Sequence, residues 1–191
     1  MGVAPNLLMH TFGRHRGVLG RLGCHIMART NEKCAAWVVA LLDIQPNDKA
    51  LEVGFGPGVG IQLLVRSASA GYIAEVDSSV EMVKQAAARN AKAIESRLVD
   101  LRYGSVERLP FEDNTFDTAM TIHAMQVWPN AATGLREMQR VLKAGGKIAL
   151  GFTPYSGRSK NGVAETFMTS GLVEARVVES DTGFCAMAHK P

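Results

Sequence analysis

Residues 51–58 read Leu-Glu-Val-Gly-Phe-Gly-Pro-Gly, an apolar strand end that runs into glycines at every second position. Such a run forces a sharp turn after a buried strand, because glycine takes the positive φ angles of that turn at little cost. Without β-carbons at 54, 56 and 58, a ligand can approach the backbone at the start of the following helix. Asp77, some twenty positions on and at the end of a second apolar stretch, supplies acceptor oxygens suited to a ribose diol. Together they predict a nucleoside-containing cofactor at the carboxyl edge of a parallel sheet. The glycine order argues against a nicotinamide dinucleotide: G-x-G-x-x-G fails in both frames, with Val59 or Ile61 in the sixth position.

The chain of 191 residues is long enough for about one domain with a substantial core. A formal net charge of +3 is too small to argue for nucleic acid as a partner. Cys24, Cys34 and Cys185 show no C-x-x-C spacing, so neither a disulfide framework nor a metal site is expected, and a reducing cytoplasm is the simplest location. No apolar run approaches the ~18 residues of a membrane span. Leu7-Leu8-Met9 meets His10 at once, so no signal-peptide core is expected either.

Along the chain, strand and helix patterns alternate. A helix is expected over Asn31 to Leu42, with Asn31 as its cap and Trp37, Val38, Leu41 and Leu42 on one face. Strands are expected near Ala50–Val53, Tyr72–Val76, Val99–Tyr103, Thr118–Ile122 and Lys147–Phe152. Between them, the glycine-led helix turns Ile61, Leu64 and Val65 inward. Ser78 with Glu81 reads as a capping box for a helix burying Met82, Val83, Ala86 and Ala87. A further helix carries Leu135, Met138, Val141 and Leu142 inward and is expected to stop at Gly145-Gly146. The tail breaks the alternation with a helix near Gly162–Thr169 and two strands joined at Ser180-Asp181-Thr182-Gly183, a hairpin.

Four segments in order carry a resemblance to a known family. Glu52-Val53-Gly54-Phe55-Gly56-Pro57-Gly58 resembles the first motif of the class I methyltransferases that use S-adenosylmethionine (SAM), and Tyr72 to Met82 looks like their second strand with Asp77 at the ribose-binding acid. Gly104 to Phe111, then Phe116-Asp117, resembles the adenine-side loop and the entry to strand four, and Arg136 to Gly146 the helix and turn before strand five. The match covers about residues 31–190 and is closest to the methyltransferase 11 or UbiE-like type. It implies an α/β fold, a Rossmann-like three-layer sandwich whose mainly parallel seven-stranded sheet ends in an antiparallel hairpin. Residues 31–191 would form the methyltransferase domain, and residues 1–30 an N-terminal lid or flexible lead.

The resemblance implies SAM as cofactor and S-adenosylhomocysteine (SAH) as product, transferred by in-line displacement at a carbon already activated by a sulfonium. The protein would supply chiefly proximity and alignment, worth about 7–11 kcal/mol. Cofactor residues are expected at Glu52, Gly54, Phe55, Gly56, Gly58, Asp77, Ser78, Ser105, Val106 and Thr121. Many relatives carry Asp where this chain has Ser105, so adenine recognition shifts toward the Val106 backbone and apolar stacking. Glu52 has two readings: it orders the loop or meets the methionyl amine, or it is a buried acid serving local backbone donors. His123, at the carboxyl edge of strand four, is the candidate base or orienting group, its structural alternative being a partly buried histidine hydrogen-bonded within the fold. Met125, Trp128 and Tyr155 are candidates for the acceptor pocket, and Arg14 and Arg16 in the lead could meet an anionic acceptor.

The acceptor is expected to be a small or lipid-like molecule, and monomer and homodimer both remain open. A nucleic-acid methyltransferase is disfavoured, because Thr121 to Trp128 lacks an Asn/Asp-Pro-Pro-aromatic signature and the chain has no Pro-Cys pair. A non-catalytic SAM-binding module is the remaining alternative.

Overall fold

A computed structural model of the protein describes residues 31–191. The elements run α1 (residues 31–42), β1 (Lys49–Val53), α2 (Val59–Ser67), β2 (Tyr72–Asp77), α3 (Val80–Arg89), α4 (Ala91–Glu95), β3 (Val99–Tyr103) and β4 (Phe116–Ile122). There follow α5 (Ala131–Val141), β5 (Leu142–Phe152), α6 (Val163–Thr169), β6 (Val173–Ser180) and β7 (Gly183–His189). The strands form one sheet in the order β3-β2-β1-β4-β5-β7-β6, parallel from β3 through β5 and antiparallel at β5–β7 and β7–β6. The expected architecture is therefore the observed one, a mainly parallel seven-stranded sheet ending in a hairpin.

The central strands are apolar on both sides because both faces are covered. Ala50, Ile73, Met120 and Ala149 pack against Val38 and Leu42 of α1, Ile61 and Leu64 of α2, and Ala86 of α3. Leu51, Val53, Ala74 and Val76 point the other way and meet Leu135 and Met138 of α5 and Phe167 of α6. Three layers result. Among the described residues no helix is long and apolar enough to cross a membrane.

Local chemistry shifts three boundaries. Residue 31 is already helical, so Asn31 does not cap α1. The cap of α3 is Ser79, whose hydroxyl accepts from Met82 N–H at 3.3 Å, rather than Ser78. Ser78 is displaced because Asp77 takes the Ser79 N–H at 2.8 Å and holds the chain extended one residue further. Helix α5 ends at Val141, four residues before the glycine pair, and Leu142 is buried in an extended conformation. Gly145-Gly146 lies within an irregularity of β5: the pairing jumps from Phe116–Leu142 to Thr118–Lys147. There the glycines pair with the end of the antiparallel neighbour, Gly145 N–H donating to Lys190 O and Lys190 N–H to Gly146 O, both at 2.9 Å.

Candidate active site

Strands β1 and β4 are adjacent, while the chain builds outward from β1 through β2 to β3 and from β4 through β5 in the opposite direction. That reversal opens a crevice at the carboxyl ends of the two central strands. Its volume is about 330 Å³, and its walls come from the glycine turn and Asp77, the loop after β3, and the segment after β4.

Asp77 holds the glycine turn in shape. One carboxylate oxygen accepts the Gly56 N–H at 3.1 Å and the other the Ser79 N–H at 2.8 Å. Each oxygen keeps a second lone pair for a ribose hydroxyl. Gly56 has φ of 53°, and a β-carbon on it would meet no protein atom within 4 Å, so it would project into open space. Gly54 serves a close approach instead: a β-carbon there would lie 2.3 Å from Ala124 Cβ, in the segment that follows β4. Gly54, Gly56, Asp77 and Ser78 all line the crevice.

Two other residues of the motif face elsewhere. Phe55 is buried in the cluster with Ile61, Leu64 and Ala86, where it anchors the turn to the core. Gly58 caps α2 at φ 81°, with Ala86 and Asn90 pressed against its missing β-carbon. The Asn90 carboxamide donates to Gly58 O at 3.2 Å and Ala86 O at 2.9 Å, tying the turn to α3. Neither Phe55 nor Gly58 lines the crevice.

Beneath the turn, Glu52 is buried with its carboxyl against Gly60 of α2, and it stands in register with Glu75 of β2. As two carboxylates, three of their four oxygens would have no hydrogen-bond partner. With one carboxyl protonated the two bond to each other. Burial is the main cause that raises Glu52, to about 7, against a lowering hydrogen bond from Glu75, and it lifts Glu75 well above the ordinary carboxylate range, where the Glu52 charge and hydrogen bond add to it; the Asp77 charge raises both. Glu52 is thus a buried acid under the loop. Its partner Glu75 escaped the sequence reading, although an acid inside the apolar stretch Tyr72–Val76 was a signal.

The loop after β3 is braced from α5. Arg140 donates to Leu109 O at 3.1 Å and Phe111 O at 2.9 Å, while Glu137, bound to the same guanidinium, accepts the Leu109 N–H at 2.9 Å. This brace presents Gly104, Ser105 and Val106 to the crevice. Ser105 already uses its hydroxyl to accept the Glu107 N–H at 3.2 Å, which fixes the loop's own turn.

On the acceptor side, His123, Val127, Trp128 and Pro129 line the crevice. The Trp128 ring is positioned by Gly134 of α5, whose missing β-carbon would lie 2.8 Å from Cε3. His123 takes φ of 55° as β4 ends, and its Nε2 accepts the Thr153 N–H at 3.1 Å. Burial lowers its pKa. Thr121 is buried beneath Gly54 with its hydroxyl unpaired, Met125 lies in the core, and Tyr155 is exposed on a short turn after β5. None of these three lines the crevice. Cys34 and Cys185 are buried thiols pushed up to about 11 and about 12 by burial, so neither is poised as a nucleophile. Arg14, Arg16, Cys24 and the whole lead of residues 1–30 lie outside the described residues.

A family model described as a methyltransferase domain, methyltransferase 11, matches residues 51–150, from β1 through most of β5. The chain is 26% identical over 179 residues to the uncharacterized methyltransferase YdaC of Bacillus subtilis (strain 168), covering 87% of this chain and 97% of that protein. It is 34% identical over 109 residues to a demethylmenaquinone methyltransferase of Corynebacterium urealyticum, covering 57% of this chain but only 43% of that one. The fold matches that of a SAM-dependent methyltransferase from Aquifex aeolicus with a TM-score of 0.71 and 21% identity, over 81% of this chain and 87% of that one. SAM is accordingly the cofactor, and the residues around the crevice fit it: an open glycine position, an acid with free lone pairs and an apolar wall. The chain belongs to the class I SAM-dependent methyltransferases, in the methyltransferase 11 family.

Proposed function

We propose that this methyltransferase acts on a small-molecule acceptor that enters the crevice beside Trp128 and His123. The supporting observation is the division of the crevice: a braced glycine turn and acid on one side, and Val127, Trp128 and Pro129 around a single imidazole on the other. The demethylmenaquinone methyltransferases among its relatives favour a largely apolar acceptor, small or lipid-like. A reducing cytoplasm is the proposed location, since Cys34 and Cys185 are free thiols.

When bound, SAM supplies a methyl group on a sulfonium that is already activated for displacement. The work left to the chain is positional. Asp77 receives the ribose hydroxyls on its remaining lone pairs while holding Gly56 in place. Val106, braced through Arg140, would wall the adenine side, and Trp128 would offer the acceptor an apolar face. Alignment of two bound partners in this way accounts for about 7–11 kcal/mol of barrier reduction.

Titration calorimetry with SAH tests the donor half, and SAH release with small aromatic and lipid acceptors, alongside tRNA and duplex DNA, tests the acceptor half. Turnover with small acceptors is expected. Turnover with nucleic acid alone would overturn the proposal, as would SAH binding without turnover of any acceptor.

A further inference from the structure

His123 stands where β4 leaves the sheet. Its backbone N–H donates to Gly151 O at 3.0 Å, continuing the parallel ladder with β5 by one rung. In a regular ladder the next donor, Thr153 N–H, would meet the backbone carbonyl of residue 123. The left-handed turn at 123 breaks that pattern, and imidazole Nε2 receives the Thr153 N–H instead, at 3.1 Å. The ring thus substitutes for a main-chain acceptor.

This hydrogen bond decides the tautomer. An amide N–H keeps its proton, so Nε2 must offer a lone pair, and a neutral ring then carries its proton on Nδ1. Protonating Nε2 would set two donors against each other, which agrees with the lowered pKa of a ring in a half-buried position. Nδ1 donates to none of the described residues, and the ring lines the crevice.

Resting on the methyltransferase reading above, we propose that His123 is a hydrogen-bond donor to the methyl acceptor through Nδ1–H and takes no proton from it. The substrate class follows. The acceptor is an apolar small molecule with an oxygen lone pair beside or at the methylated atom, and it arrives already nucleophilic, as a phenolate or an enolate. In the transfer, the bond from the acceptor atom to the methyl carbon forms as the carbon–sulfur bond breaks, and the electron pair stays on sulfur. A phenolate methylated on oxygen, or an enolate, then becomes neutral with no proton to lose. His123 is the same before and after.

Two substitutions separate the donor from the latch. His123→Asn keeps an amide at the level of Nδ1, and Asn tolerates the left-handed backbone. His123→Gln reaches the level of Nε2 and can still accept from Thr153 but offers no donor at Nδ1. The probe is 4-nitrophenolate titrated into the SAH complex. Wild type and His123→Asn should bind it within about threefold of each other, and His123→Gln about tenfold or more weakly, the loss of a hydrogen bond to a charged group. SAH affinity should be the same in all three. Imidazole ¹⁵N spectra near neutral pH should show the proton on Nδ1, with that resonance moving when the probe is added.

A proton on Nε2, tight probe binding by His123→Gln, or no probe binding by the wild-type SAH complex would overturn the proposal. A purely structural latch would reverse the order of the two variants. Failure of SAH itself to bind would sink the cofactor reading instead, while the tautomer, read in the free protein, would still be decided.

Discussion

The carboxyl of Glu52 stands against that of Glu75 on the adjacent parallel strand, in register and sealed from solvent by α2. Two carboxylates so placed cannot both ionise, so the pair keeps a proton that the unfolded chain gives up. The folded state therefore binds more protons than the unfolded one from the ordinary glutamate value of 4.5 upward. Stability falls as the pH rises through about 7, where Glu52 titrates, and further where Glu75 does. Denaturant unfolding should give a less stable protein at about pH 8 than at about pH 5. Glu75→Gln, which donates to Glu52 without a charge, should recover on the order of 1–3 kcal/mol at the higher pH. Identical pH slopes for the two proteins would refute the shared proton.

Asp77 has two duties, so removing it should cost more than one ribose contact. Asp77→Ala frees the N–H groups of Gly56 and Ser79 as well as losing the ligand acceptor. Calorimetry with SAH should show a loss of about 2–4 kcal/mol for Asp77→Ala and roughly 1–2 for Asp77→Asn, which keeps one acceptor oxygen. Affinity within a factor of about three of wild type in the alanine variant would remove Asp77 from the ribose site.

Gly56 and Gly58 should fail in different ways. A side chain at 56 meets no protein atom and enters the crevice, so Gly56→Val should abolish measurable SAH binding while the backbone strain lowers stability by only about 1–2 kcal/mol. A β-carbon at 58 would lie 2.8 Å from both Ala86 Cβ and Asn90 Nδ2, so Gly58→Ala should lower the melting temperature more and the affinity of the folded protein less. Melting curves with and without SAH distinguish the two.

The Arg140 brace predicts a dynamic effect. Arg140→Ala releases the carbonyls of Leu109 and Phe111 and the partner of Glu137. With the guanidinium partly exposed, the stability cost should stay near 1–2 kcal/mol. Hydrogen exchange over residues 104–109 should rise while exchange in β1 and β2 stays protected. Uniform exchange across the sheet would instead mean global loosening.

The sheet and its hairpin were legible in the sequence because strands buried on both faces leave continuous apolar runs, and because glycines and an acid mark the ligand edge. The residues whose missing β-carbons or carboxylate shape the crevice, Gly54, Gly56 and Asp77, were legible for the same reason. What the sequence hid depends on register and rotamer. The pairing of Glu52 with Glu75 needs the alignment of β1 on β2, and the brace of Leu109 by Arg140 joins residues 31 positions apart. Phe55 and Gly58 belong to the same motif but face the core and α3, since successive positions of a turn point in different directions. His123 was placed at the right edge, but its proton was not, because only the Thr153 N–H reveals which nitrogen must stay bare. The end of α5 was missed because two glycines before a strand look alike in a helix cap and in a bulge.

The adjacency of β1 and β4 has a kinetic consequence. Their edge is tied by Lys49 N–H to the Asp117 carboxylate, a contact 68 residues apart, and the crevice has no second wall until that pairing is made. Closing so long a loop is paid in chain entropy before any contact repays it, so folding of this half of the sheet is slow compared with that of the β6–β7 hairpin. SAM can therefore recognise only molecules that have passed that step, and its presence in the cell draws the folding equilibrium forward by mass action.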